Sequence, residues 1–259
     1  MLKSFILIRK IQQLLHIMTL NYLPQFLFNF HQSRVYKKRI NIYLKWEKKN
    51  PDRSYKEFYS EFVNINAVTD PKAAVGGKWE EIGNFQFNFL LQHRLKKHHK
   101  LLDIGCGCLR GGLHFIRYLN ECNYYGIDIS KDILEAGKNF LYESKLEHKS
   151  PILKISTNLK FNNFQGEVFD FILAQSVFTH MPLRDIDECF KNIHKVMHNK
   201  TIFFATFWIG EKCFTPDDMN FYYPFNILRN IGKKNKLDVI LIEDFSHPRN
   251  QKMMKITLK

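Results

Sequence analysis

A doubly wound α/β fold built on a mostly parallel sheet is what this 259-residue sequence predicts, on three observations. Short apolar runs alternate with segments of helical periodicity from residue 101 onward. The first run, Leu101-Leu102-Asp103-Ile104, enters a turn holding Gly105 and Gly107, and a helical pattern follows. Such a turn lets backbone N–H groups and a helix N-terminus approach a ligand closely, because glycine carries no Cβ. A second apolar run then ends in Asp128, 21 residues beyond Gly107. That is the spacing at which a βαβ unit presents an acid to a ribose diol.

The elements follow in order. Ser54 to Val63 reads as a short helix and Asp70-Pro71 as a turn. Trp79 to Leu95 carries an apolar stripe of Ile82, Phe85, Phe87, Leu90 and Leu91, and the Lys96–Lys100 cations suit its C-terminal end. The first strand spans about 101–105, with a helix from Gly111 to Leu119. A strand at 123–129 leads to Ser130, which caps a helix over Lys131 to Glu143. Strands are expected at 151–156 and 168–174. After Pro182 a helix sets Ile186, Phe190, Ile193 and Met197 on one face, with Asp185, Asp187 and Glu188 in its first turns. A strand over Ile202 to Phe207, a helix at about 224–234 and strands at 237–242 and 251–258 complete the pattern.

Which nucleoside cofactor the turn suits depends on its detail. A dinucleotide fingerprint requires a third glycine at position 110, where this chain has arginine. An acid two residues before the first glycine, Asp103, is also foreign to that fingerprint. Asp103-Ile104-Gly105-Cys106-Gly107 instead resembles motif I of the class I S-adenosylmethionine-dependent methyltransferases. Phe169-Asp170 through Ser176-Val177-Phe178-Thr179-His180 is similar to the fourth strand and following loop of that family's small-molecule branch. Val75-Gly76-Gly77-Lys78-Trp79-Glu80-Glu81-Ile82-Gly83 resembles a segment preceding motif I in a bacterial-type subset. The departure is Leu109, where many members carry a third glycine, so a differently shaped turn is expected.

The resemblance implies a Rossmann-like, seven-stranded sheet with an antiparallel last strand, matching the two helix-free strands at the end of the chain. It divides the chain into a basic helical extension, 1–69, and a methyltransferase domain, 70–259. It implies S-adenosyl-L-methionine as cofactor and no metal. Gly105 and Gly107 would underlie the methionine part, Asp128 would hold the ribose hydroxyls, and Asp103 would orient the turn. No carboxylate follows the third strand, so Asn158 is the candidate for the adenine ring. Gln175 would meet the methionine or sulfonium region. His180 is the one general base that position suggests, and a capping or orienting histidine is its equal alternative. Trp79, Glu80 and Glu81 either close over the cofactor or merely pack. His194 and His198 lie four apart, but no third ligand accompanies them, so they are read as decorating a helix end.

Charge lies unevenly. Of 39 basic residues, 12 fall in residues 1–60 against 3 acids, while residues 61–259 hold 27 against 22. The net charge of +14 therefore belongs mainly to the extension, and the mildly basic body argues against nucleic acid. Ala174-Gln175-Ser176-Val177 also lacks the Asn/Asp-Pro-Pro-Tyr/Phe tetrad that goes with amino methylation of DNA bases. No acid precedes Glu47, and residues 1–30 offer no apolar run of spanning length. A surface-bound amphipathic helix with peripheral membrane contact, a presequence, or a helix serving packing or dimerisation all fit that segment. Five cysteines without paired-knuckle spacing fit a reducing, cytoplasmic setting. The resulting expectation is methyl transfer to a small-molecule, lipid or saccharide acceptor. A non-catalytic scaffold of the same fold and an RNA methyltransferase are the alternatives.

Overall fold

The computed structural model describes residues 42–164, 166–211 and 220–259. Expectations for residues 1–30 lie outside the described residues. Contacts divide the chain into two units, one of residues 50–215 with 220–259 and the other of residues 1–49 with 216–219. In the second unit, residues 42–49 are helical, and Tyr43 Oη donates to Glu47 Oε1 at 2.7 Å.

The larger unit opens with α1 (Tyr55–Thr69), which begins in a capping box between Ser54 and Glu57. This helix is a turn and a half longer than its sequence pattern suggests, and it packs within the unit that holds the sheet. Asp70 is more than a turn residue: it caps the short α2 (Pro71–Ala74) by accepting from Ala73 N. Next comes α3 (Trp79–Gln92), ended by Arg94 in the left-handed region, where Leu95 N reaches back to Leu90 O.

The described strands are β1 (Leu101–Ile104), β2 (Tyr124–Asp128), β3 (Ile152–Ile155), β4 (Phe169–Ala174), β5 (Met197–Ile209), β6 (Tyr222–Tyr223), β7 (Leu237–Ile242) and β8 (Lys252–Leu258). Their order is β3-β2-β1-β4-β5-β8-β7, with β6 paired to β5 off that path. All pairs up to β5 are parallel, and β8 runs antiparallel to both of its neighbours. The sheet is thus mostly parallel with an antiparallel last strand. Every residue of β1 is buried, as expected of a central parallel strand covered on both faces. The crossovers are α4 (Gly112–Tyr118), α5 (Lys131–Glu143) and α6 (Leu183–Asn192), and α7 (Phe225–Lys234) precedes β7.

One element departs from its periodicity. The apolar spacing Ile186, Phe190, Ile193, Met197 predicts one continuous helix. Instead α6 stops at Asn192, a 3₁₀ turn spans Ile193–Val196, and Met197 opens β5 opposite Phe169. Strand pairing supplies backbone partners that another helical turn would forgo, and Thr201 Oγ1 adds a bond to Phe169 O. His194 and His198 therefore share no helix. His194 Nε2 lies 2.7 Å from Asn235 O, and His198 Nε2 lies 3.3 Å from Asp170 Oδ1. Among the described residues no cluster of His, Cys, Asp and Glu could hold a metal.

The Ser130 hydroxyl caps α5 by accepting from Ile133 N at 3.1 Å. Ser130→Ala should cost about 1 kcal/mol, the usual worth of such a cap. Urea unfolding checks this, and an unchanged midpoint would show that another group takes over the cap.

Candidate functional site

Strand order reverses between β1 and β4, which opens a crevice beyond the carboxyl ends of the parallel strands. The predicted residues belong to that edge, except Asp103, which lies within β1. The glycine turn leaves β1, Asp128 ends β2, Asn158 follows β3, and Gln175 and His180 follow β4.

The turn takes the left-handed region three times in alternation, with φ of +67° at Gly105, +57° at Gly107 and +68° at Leu109. A Cβ on Gly105 would stand 2.5 Å from Val177 Cγ2, and one on Gly107 would stand 2.7 Å from Val75 Cγ1. Both positions therefore need glycine for close approach as well as for backbone angle. Leu109 was expected to alter the shape of the turn. It adopts the conformation a glycine would take, at the cost of its Cβ. Its fully buried side chain fills the space left by Gly112 of α4 and Gly137 of α5, where added Cβ atoms would lie 2.8 and 3.1 Å from it.

Two acids lie beside this turn. Asp128 Oδ2 accepts from Gly107 N and Oδ1 from Ser130 N, each at 2.9 Å. Burial raises its pKa while the N–H groups of Ser130, Gly107 and Ile129 pull it down. Asp103 is buried, and its Oδ2 accepts from Tyr124 Oη at 2.7 Å. Burial pushes the Asp103 pKa up to about 7, and the neighbouring Asp128 charge adds to the rise. The Tyr124 bond and the Arg110 charge oppose it.

Beyond β4, Gln175 Nε2 lies 2.9 Å from His247 Nε2 and 3.2 Å from both Gln251 Oε1 and Ser176 Oγ. Ser176 has φ of +59°, and its N–H donates to Thr206 Oγ1 of β5. His180 ends a 3₁₀ turn (Phe178–His180) and stacks on the Tyr59 ring of α1, with centroids 5.2 Å apart. Asn158 is exposed, and its Oδ1 accepts from Lys160 N at 3.0 Å. Trp79 packs edge-on against Phe140 of α5 beneath the Lys72 ammonium, and Glu81 pairs with Lys78.

Residues 102–203 match a family model described as a methyltransferase domain. Over this segment, about two fifths of the chain, the protein is similar to that family. An uncharacterised protein of Rickettsia prowazekii is 28% identical over 108 residues, a match spanning 42% of this chain and 42% of that relative. Magnesium protoporphyrin IX methyltransferase of Synechocystis, solved with bound S-adenosylmethionine, superposes with a TM-score of 0.62. The identity is 12%, covering 80% of this chain and 98% of that one. An S-adenosylmethionine-dependent methyltransferase of Clostridium acetobutylicum gives a TM-score of 0.54 at 11% identity, covering 76% and 98%. These likenesses concern the fold.

The site has features that sequence reasoning missed. Position 110 served only to exclude a dinucleotide fingerprint. In the structure the buried Arg110 guanidinium donates to Val75 O at 2.9 Å and Gly77 O at 3.0 Å, while Arg249 donates to Gly76 O. The upstream segment is thereby tied to the glycine turn and to the β7–β8 connection. Burial and the Arg249 charge push Arg110 down to about 10. Tyr124 was read only as strand. It stands 21 residues from Asp103, the same step that joins Gly107 to Asp128, and that repeat was the available signal.

Leu109→Gly would relieve about 1–2 kcal/mol of left-handed strain. It would also forfeit burial worth about 2–5 kcal/mol, by analogy with Leu→Ala in cores. Net destabilisation by about 1–3 kcal/mol in urea unfolding is expected, and a gain in stability would mean that strain dominates. Asp103 yields a pH signature. Its folded pKa exceeds the reference 3.8, so the native state holds an extra proton between about pH 4 and about 7. That contribution to stability is present in acid and lost as pH rises through the window. Asp103→Asn should therefore gain stability relative to the parent between pH 5 and pH 8, compared by urea midpoints. An unchanged difference across that range would refute the elevated pKa.

Proposed function

We propose that this protein binds S-adenosyl-L-methionine at the glycine turn and transfers its methyl group to a small-molecule, lipid or saccharide acceptor. The observation that carries the reading is the Asp128 carboxylate. Its oxygens accept from Gly107 N and Ser130 N at 2.9 Å each, with a further backbone N–H from Ile129, and the partly exposed carboxylate keeps acceptor capacity for a hydroxyl. A ribose diol supplies hydroxyl donors, so the donor chemistry fits. The buried turn beside it, narrowed to glycine at 105 and 107, fits backbone approach to the rest of the molecule.

The sulfonium methyl arrives already activated for transfer. The chain's task is then to orient the acceptor and, where the acceptor requires it, to remove a proton. Asp128 would hold the ribose, Asp103 would steady the turn from below, and Asn158 would reach the adenine by leaving its local bond to Lys160 N. Gln175 would meet the methionine portion. His180 would receive the acceptor's proton, held in orientation by the Tyr59 ring.

Calorimetric titration with S-adenosylmethionine tests this. The intact protein should bind in the micromolar range, and Asp128→Ala should weaken binding at least tenfold while remaining folded. A folded parent protein that takes up no cofactor would end the enzyme reading and leave a scaffold.

A further inference from the structure

The connection between β7 and β8 reaches the site through His247, and its hydrogen bonds determine which way Gln175 faces. The backbone N–H of Arg249 donates to His247 Nδ1 at 3.1 Å. A peptide N–H cannot be turned away, so Nδ1 carries a lone pair. The imidazole is buried, and burial together with the Arg249, Arg110 and Lys78 charges lowers its pKa to about 4. Near neutral pH the ring is uncharged, and an uncharged ring with an accepting Nδ1 bears its proton on Nε2. That Nε2–H faces the end of the Gln175 amide at 2.9 Å. Two N–H groups cannot face each other at this separation. A half-turn of the amide resolves the conflict by placing Gln175 Oε1 against His247 and its NH₂ on the opposite side. Gln251, also buried, can then turn its own NH₂ toward Gln175 Oε1 and Ser176 Oγ, 3.2 and 3.1 Å away.

We propose that His247 is a positioning residue: as the neutral Nε2–H tautomer it holds the Gln175 oxygen inward and leaves the amide NH₂ to meet an oxygen of the bound ligand. This rests on the reading that Gln175 touches the methionine portion of the cofactor. It also narrows that reading, because an amide NH₂ suits an oxygen and would not face a sulfonium centre.

The test has two arms. In the free protein labelled with ¹⁵N-histidine, long-range ¹H–¹⁵N spectra at pH 7 should show His247 neutral and protonated at Nε2. An Nδ1–H tautomer or an imidazolium would overturn the proposal whatever the protein binds. The second arm is calorimetry with S-adenosylhomocysteine. His247→Phe keeps a ring against Phe85 and Phe245, which lie 5.4 and 5.8 Å from the imidazole, and removes the donor. It should weaken binding about tenfold, as should Gln175→Ala. The double variant should bind no more weakly than Gln175→Ala alone, and His247→Gln, which restores an NH₂ near the Nε2 position, should recover most of the loss. Additive losses would overturn the proposal. Failure of the parent protein to bind S-adenosylhomocysteine would instead defeat the cofactor reading, and the tautomer spectrum would stand apart from it.

Discussion

One carboxylate joins the two halves of the first βαβ unit. Asp128 ends β2, yet its oxygens accept from Gly107 in the turn after β1 and from Ser130 ahead of α5. The turn it braces is costly, with two glycines whose freedom is lost on folding and a leucine in the left-handed region. Such a backbone persists only where its surroundings over-determine it. Asp128 does so from the sheet edge, and the packed Leu109 side chain does so from between α4 and α5. The same Asp128 contact positions Ser130, whose hydroxyl starts α5. Turn, helix start and carboxylate are therefore one arrangement.

Burying an acid beside this turn requires compensation. Asp103 takes part of it from Tyr124 and part from the charge of Arg110. Arg110 in turn is desolvated and repelled by Arg249, and it finds acceptors only in the carbonyls of Val75 and Gly77. The series ends at backbone oxygens, with Arg110 Nε left buried and without a hydrogen-bond partner. This explains why the segment upstream of α3 lies where it does. Its carbonyls are occupied by arginines from two distant parts of the chain.

The fold was legible because parallel strands and amphipathic helices leave strong periodic marks. Capping of α5 by Ser130 follows from local pattern, and so does the alternation of strands and helices that makes the sheet mostly parallel. The places of Asp128 at the end of β2 and of the two glycines in the turn after β1 were legible because a βαβ unit fixes their spacing. The end of α6 was not, since the pairing of Met197 with Phe169 is a long-range choice that helical periodicity cannot register. Arg110 and His247 escaped for a similar reason. Their partners lie 33 to 35 and 72 residues away, and a single sequence shows no contact across such distances. Leu109 reads in the sequence as a flaw in a glycine motif, and only packing shows what holds it.

The ties from Arg110 and Arg249 to residues 75–77 also bear on how little of the chain can fold alone. A fragment beginning at Leu101 would retain the whole sheet and every glycine of the turn. It would lose the two carbonyls that hold the Arg110 guanidinium and the whole of α3, whose Ile82 and Leu90 are fully buried, uncovering apolar surface worth several kcal/mol. The autonomous folding unit therefore begins no later than Val75, well upstream of the residues that match the methyltransferase family.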